Sequence, residues 1–197
     1  MRTLGTLVLA IGLLIAAAST ARADGFIVPY WGYNFGGDSN CPTFSNCEDK
    51  RTNVGVSLGK MGPVFGFEED IAFAKDFFGT PTDGTSVDSS VFTMMSNLLI
   101  GVGAGPVQPY VLLGAGLVRP HTSVTLTQFT ADKNSLGYDI GGGVSGFPLK
   151  HVGIRADIRH FHTLQDVPLL QTFTGSGVFV EQKLDFWRAS FGVAFRF

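Results

Sequence analysis

The stretch that ends the chain, residues 186–197, alternates with period two. Trp187, Ala189, Phe191, Val193, Phe195 and Phe197 share one parity and are all apolar. Arg188, Ser190, Gly192, Ala194 and Arg196 occupy the other, which is small or cationic. Successive side chains of a strand point to opposite faces, so this is a strand between two unlike environments. In a soluble sandwich the apolar face would meet a second sheet. In a transmembrane barrel it meets lipid, the polar face lines the lumen, and aromatics mark the interfaces.

Composition separates the two. Charged residues make up 15% of the 197, below the roughly one quarter usual in soluble domains. Mean hydropathy is +0.24. The 26 Gly and 18 Phe suit small lumen-facing positions alternating with bulky lipid-facing ones. Met1-Arg2, an apolar run from Leu4 to Ala18 and the small-x-small Ala21-Arg22-Ala23 read as a secretory signal over residues 1–23, removed before Asp24. The run is shorter than the ~20 residues of a spanning helix, and no second one follows. Backbone groups in lipid must be paired internally, which leaves a closed barrel over residues 24–197. A net charge of −2 supplies no footprint for nucleic acid.

Alternation recurs along the chain. It predicts strands over 25–35, 52–60, 64–77, 90–103, 107–119, 135–147 and 152–161, then the closing strand. The connections run long, short, long, short, long, short, long. Tight turns rich in Gly and Pro lie at 59–63, 103–106 and 146–150, and long polar segments at 36–51, 79–89, 120–134 and 162–183. That asymmetry belongs to an all-β, eight-stranded antiparallel up-and-down transmembrane β-barrel with its tight turns and both termini in the periplasm of a Gram-negative-type bacterium. The first strand is ambiguous, because Trp31 and Tyr33 on one parity face Phe26 and Tyr30 on the other. Glu69 falls on the apolar parity of its strand, where a charge is costly at mid-depth; a bulge would re-aim it.

The lumen parity collects Glu68, Asp70, Asp139, Arg155, Asp157, Arg159, Asp185, Arg188 and Arg196. Eight strands leave an interior only wide enough for side chains, and isolated buried charges are expensive. The expectation is a salt-bridged plug that sets register; the rival is a narrow polar, porin-like path. Paired carboxylates also serve acid–base catalysis, but Arg at every second position makes ion pairing the simpler account. Cys41 and Cys47, close together in an exported chain, predict a loop disulfide. His160 and His162 form a two-residue chelate without a third ligand nearby, on the lipid-facing parity near the outer rim. Gly101 to Gly105 lacks the Lys-Ser/Thr and helix of a phosphate loop. No cofactor, metal or catalytic set is expected.

Three segments carry a family texture: Leu136-Gly137-Tyr138-Asp139-Ile140-Gly141-Gly142-Gly143, then Phe147-Pro148-Leu149 with Gly153-Ile154-Arg155-Ala156-Asp157-Ile158-Arg159-His160, and Gly66-Phe67-Glu68-Glu69-Asp70-Ile71-Ala72-Phe73. Together they resemble the OmpA/OmpX-like outer-membrane β-barrel family. The resemblance implies a barrel set in outer-membrane lipid; no periplasmic peptidoglycan-binding domain is expected after Phe197, a departure from the two-domain relatives that argues against a cell-wall tether. It also implies that the terminal pattern of Trp187, Phe191, Phe195 and Phe197 is read by the barrel assembly machinery. His160-Phe161-His162-Thr163 is a poor match to the His-x-Ser of lipid A deacylases of the PagL kind. The expected role is therefore structural or interactive rather than enzymatic. It would belong to a monomer meeting a surface ligand through its loops, chiefly the Cys41–Cys47 loop and the last one with Phe173, Phe179 and Val180. The alternatives are a lipid A-modifying enzyme, a narrow channel, or a soluble periplasmic β-barrel binder.

Overall fold

The computed structural model describes residues 24–37, 47–48, 52–77, 80–81, 87–103, 106–124, 129–132, 134–165, 167–173 and 176–197. Eight long strands dominate: β1 (Asp24–Phe35), β2 (Thr52–Met61), β3 (Phe65–Lys75), β4 (Val87–Gly101), β5 (Val107–Val124), β6 (Ser135–Gly146), β7 (Val152–Thr163) and β8 (Asp185–Arg196). Each pairs antiparallel with its neighbours in sequence, and β8 returns to β1, so the sheet closes with no edge. At the seam the amide of Gly25 donates to the Phe197 carbonyl and the amide of Phe197 donates to that of Gly25, both at 2.9 Å.

Closure fixes the barrel's proportions. Stepping from Asp24 to directly paired partners leads through Met61, Gly66, Leu99, Leu112, Gly141, Arg159 and Arg188 and re-enters β1 at Asn34. One circuit therefore climbs from position 24 to position 34. With ordinary strand rise and spacing, that stagger gives a tilt of about 40° and a radius of about 8 Å. Such a cylinder holds side chains and little else.

The period-two pattern sorts the faces. On β8, Trp187, Phe191, Val193 and Phe195 are exposed while Phe186, Arg188, Ser190 and Ala194 are buried. The ambiguous first strand resolves the same way: Phe26, Val28, Tyr30 and Asn34 point in, and Trp31 and Tyr33 point out. Exposed Val, Leu, Ile and Phe recur around the barrel, a continuous apolar belt of the kind that meets lipid rather than water. Among the described residues no helix is long and apolar enough to span a membrane; the crossing is made by strands.

Strand boundaries at the tight-turn end differ from the sequence reading by one or two residues, and the larger differences lie at the long-connection end. β4 starts at Val87 and β5 runs to Val124, well beyond the expected 90 and 119, and Phe129–Asp132 pairs onto β5. Val167–Phe173 and Ser176–Gln182 form a hairpin inside the last connection, and Cys47–Glu48 bridges Thr80–Pro81. Polar composition marks these segments as loops, yet backbone pairing does not depend on apolar side chains, and each further ladder bond satisfies a backbone donor and acceptor past the apolar belt. Where β1 ends, Gly36 and Gly37 take φ of 67° and 53°, and a Cβ on Gly37 would strike the Asp185 carbonyl oxygen. Residues 1–23 and Cys41 lie outside the described residues, so the signal segment and the Cys41–Cys47 bridge lie there too. For Phe173, Phe179 and Val180 only the backbone is described.

Candidate functional site

The lumen has three layers. At the tight-turn end Phe26, Val28 and Ala194 pack with Met61 and Phe147. At the long-connection end Ala74, Phe77, Val91, Met95, Val118, Phe161, Leu184 and Phe186 form the largest apolar cluster. There Phe161 stacks on Phe186 at 4.9 Å and Phe77 meets Phe186 edge-on at 4.9 Å. Between these caps lies the ionic layer.

Its charges come from two sides of the ring. Neighbouring strands β6, β7 and β8 present Asp139, then Arg155, Asp157 and Arg159 at every second residue, then Arg188, while β3 across the lumen supplies Glu68 and Asp70; all are buried. Arg155 forms an ion pair with Glu68, Nη1 to Oε2 at 2.5 Å, and donates from Nε to Asp157 Oδ2 at 3.2 Å. Arg159 reaches Glu68 Oε1 at 3.0 Å and Asp157 Oδ1 at 2.9 Å, with Asp70 Oδ2 at 3.5 Å and Asp139 Oδ2 at 3.8 Å. Arg188 clamps Asp70 through Nη2. Neutral donors complete the carboxylates: Tyr30 and Ser57 donate to Asp70 at 2.8 and 3.0 Å, and Tyr110 and Ser190 donate to Asp157 at 2.9 and 2.7 Å. Asn97 donates to Glu68 at 3.2 Å. Aromatic faces cover the cations, with Arg155 over Tyr110 at 4.6 Å and Arg188 over Phe161 at 4.5 Å. Glu68, Asp70 and Asp157 thus each meet opposite charge and accept further hydrogen bonds, the condition under which burial is tolerated. A gap beside Arg188, Asn34 and Asn53 measures about 10 Å³, room for roughly one water.

Two residues assigned to the lumen by parity are elsewhere. Asp185 has the outward parity of Trp187; β8 begins on it, and the inward set of that strand is even-numbered. Its carboxylate receives His160 Nε2 at 2.9 Å and His162 Nδ1 at 3.0 Å, because the β7–β8 register sets His162 opposite Asp185. Arg196 keeps the inward parity but sits at the tight-turn mouth, half-exposed, 3.5 Å from Asp24 and stacked over Phe147 at 4.4 Å. It takes no part in the ionic layer, since the barrel end leaves it beside solvent and the terminus. The bulge invoked for Glu69 is also absent: β3 runs in unbroken register against β2 and β4. Glu69 faces outward, half-buried, and Ser96 donates to it, with its Oγ 2.7 and 2.9 Å from the two carboxylate oxygens.

The rim cluster of His160, His162 and Asp185 is flanked by Trp187 and Tyr138, whose rings lie 4.7 and 5.4 Å from the respective imidazoles. Thr163 points into the lumen and its hydroxyl accepts the Leu184 amide at 2.8 Å. Among the described residues no three His, Cys, Asp or Glu side chains are grouped to hold a metal. What sequence reasoning missed are the uncharged partners, Tyr30, Tyr110, Ser57, Asn97 and Ser190. Each carries the inward parity of its strand, the one signal that pointed to them.

Comparison with known proteins agrees with this geometry. The sequence matches the family described as outer membrane protein beta-barrel domain over residues 6–197. The chain belongs to that family. Like other outer-membrane β-barrel domains, it superposes on solved outer-membrane barrels at low sequence identity. Neisserial surface protein A has TM-score 0.59 and 15% identity, over 88% of this chain and 97% of that one. A major outer membrane protein of Thermus thermophilus has TM-score 0.54 and 16% identity, over 89% and 100%. Outer membrane protein H of P. aeruginosa has TM-score 0.51 and 14% identity, over 89% and 100%. These likenesses establish the fold. No curated protein matches the chain in sequence.

Proposed function

We propose that this outer-membrane β-barrel is a non-conducting, non-enzymatic envelope protein that presents its long connections to the surroundings of the cell. The observation that carries this reading is the sequence of obstacles along the axis. A buried network of Arg155, Arg159 and Arg188 with Glu68, Asp70 and Asp157 is capped by the Phe77–Phe161–Phe186 cluster. An ion would have to break bidentate and charge-assisted contacts and then cross an apolar layer. The long connections, extended above the belt as paired strands, are then the part free to meet a ligand.

In this reading the chain matures by removal of residues 1–23, both termini face the periplasm, and Cys41 and Cys47 staple the first outer loop. The barrel acts as a monomer in outer-membrane lipid. The barrel assembly machinery inserts it by way of Trp187, Phe191, Phe195 and Phe197. The exposed outward positions of these four residues support the last point, since a recognition signal must be accessible before closure.

Planar-bilayer recording of the purified barrel tests the proposal. A quiet membrane at protein levels that open known porins is the expected result, and large steady conductance would overturn it. Lipid A mass spectra with and without the protein test the non-enzymatic part: an unchanged profile is expected, and a lost acyl chain refutes it.

A further inference from the structure

The outward rows of three strands change character at one height, close to the tight turns. On β2 the row runs Val54, Val56, Leu58 and then Lys60. On β8 it runs Phe191, Val193, Phe195 and then Phe197, and on β7 Ile158, Ala156, Ile154, Val152 and then, in the preceding turn, Lys150. We propose that Lys60 and Lys150, on either side of Phe197, form a docking surface for the phosphate group of an anionic phospholipid in the leaflet at that end of the barrel.

Closure of the barrel sets the three residues side by side. Lys60 pairs with Gly25, and Gly25 exchanges both backbone hydrogen bonds with Phe197. The Arg196 amide donates to the His151 carbonyl at 2.9 Å and its Nη2 to the Lys150 carbonyl at 3.2 Å, which brings Lys150 level with Phe197. Lys60, Gly25, Phe197 and Lys150 thus follow one rung across β2, β1, β8 and the turn before β7. The bare Gly25 matters here, because Phe197 Cε2 lies 2.6 Å from where a Cβ would stand. The exposed ring therefore lies across β1, between two exposed lysines. These are three strand spacings apart, about 14 Å, near enough for both side chains to lean towards one headgroup.

Charge selects the head of the ligand. Among the described residues neither lysine has an ion-pair partner. Asp24 is taken by Arg196 at 3.5 Å, and Glu69, deeper in the belt, is bonded by Ser96. Against the Phe197 carboxylate the two lysines still leave a positive excess. Depth selects the body. Leu58, Phe195 and Val152 lie immediately on the belt side of the rung and are exposed, so an anion without acyl chains would leave this apolar surface uncovered. Lysines at the edge of an apolar belt run their stems along it and keep the ammonium groups at headgroup level. Basic residues placed there attract anionic lipid.

Native mass spectrometry of the barrel in detergent tests this, with phosphatidylglycerol and phosphatidylcholine of identical chains as the two titrants. The parent should bind phosphatidylglycerol about tenfold or more tightly than phosphatidylcholine. Lys60→Gln combined with Lys150→Gln should abolish that preference. Lys75→Gln removes an exposed lysine from the long-connection end of β3 and should keep it. A parent without headgroup preference overturns the proposal, as does a double variant that retains it. Equal loss in Lys75→Gln means that net charge, and not this rung, attracts the lipid, which also overturns it. Should the double variant fail to fold, salt decides on the parent alone. At about 0.5 M the preference should shrink severalfold, and a preference indifferent to salt refutes the lysine site.

Discussion

Asp70 on β3 is clamped by Arg188 on β8, 118 residues later in the chain, and it also bonds Tyr30 and Ser57. The contact matters because Arg188 lies directly opposite Arg159 in the β7–β8 ladder. Like charges facing each other across a strand pair are destabilising, and Asp70, which reaches both, offsets that repulsion. Asp70→Ala should therefore destabilise the barrel by about 3–5 kcal/mol, the usual result of stranding buried charge. Urea unfolding from lipid vesicles measures it. Adding Arg188→Met should recover part of the loss, and a strictly additive double variant contradicts the coupling.

The outward acid behaves oppositely. Glu69 occupies the centre of the β3 outer face, with Phe65 and Phe67 on one side and Ile71 and Phe73 on the other. Glu69→Leu should leave stability unchanged or raise it by up to about 2 kcal/mol, since a charge in the belt opposes insertion. Ser96→Ala removes the hydroxyl bonded to that acid and should cost about 1 kcal/mol with Glu69 present and nothing with Leu there. The same unfolding assay decides both.

Phe161 is fully buried and touches both the apolar cap and Arg188. Phe161→Ala should cost about 3–5 kcal/mol through lost burial and the cavity left behind. Phe191→Ala, a truncation on the lipid face, opens no interior cavity and should cost distinctly less. Equal losses at the two positions would contradict the assignment of faces.

Glycines of the barrel are not equivalent. An added Cβ at Gly116 would run into the Met94 carbonyl oxygen of the paired strand, whereas at Gly103 it meets open space. Gly116→Ala should lower stability by about 1–3 kcal/mol through overpacking, and Gly103→Ala should be neutral. Loss of heat-modifiable mobility on gels at lower urea for the first variant alone is the expected outcome.

Substitution of Phe197 tests the proposed assembly role apart from folding. The residue is 78% exposed, while its backbone closes the seam with Gly25. Phe197→Ala should fold into detergent in vitro nearly as well as the parent, yet accumulate in the outer membrane at a markedly lower level. Equal levels in cells would remove the assembly role.

Much of the site was legible from parity. Glu68, Asp70, Asp139, Arg155, Asp157, Arg159 and Arg188 all carry the inward phase of their strands, and alternation is a local property that needs no partner to be read. Asp185 shares the odd phase of Trp187, so alternation alone places it outside; its charge, next to the loop, grouped it with the lumen acids. Arg196 misled differently. Its phase is inward, but phase says nothing of height, and at the mouth an inward residue still meets solvent.

Alone, the order of apolar and small residues along the chain determined that there would be eight strands, where the tight turns fall, and which face of nearly every strand meets lipid. These follow from the pleat and from the need to pair every backbone group inside a membrane. The stagger of the closed cylinder was decided only in three dimensions, because it is a sum over eight pairings that no single segment contains. That stagger brings Asp70 to Arg188 across the ring, whereas Asp185 meets its two histidines through the β7–β8 register alone. Side chains distant in sequence become neighbours only once the ring has closed.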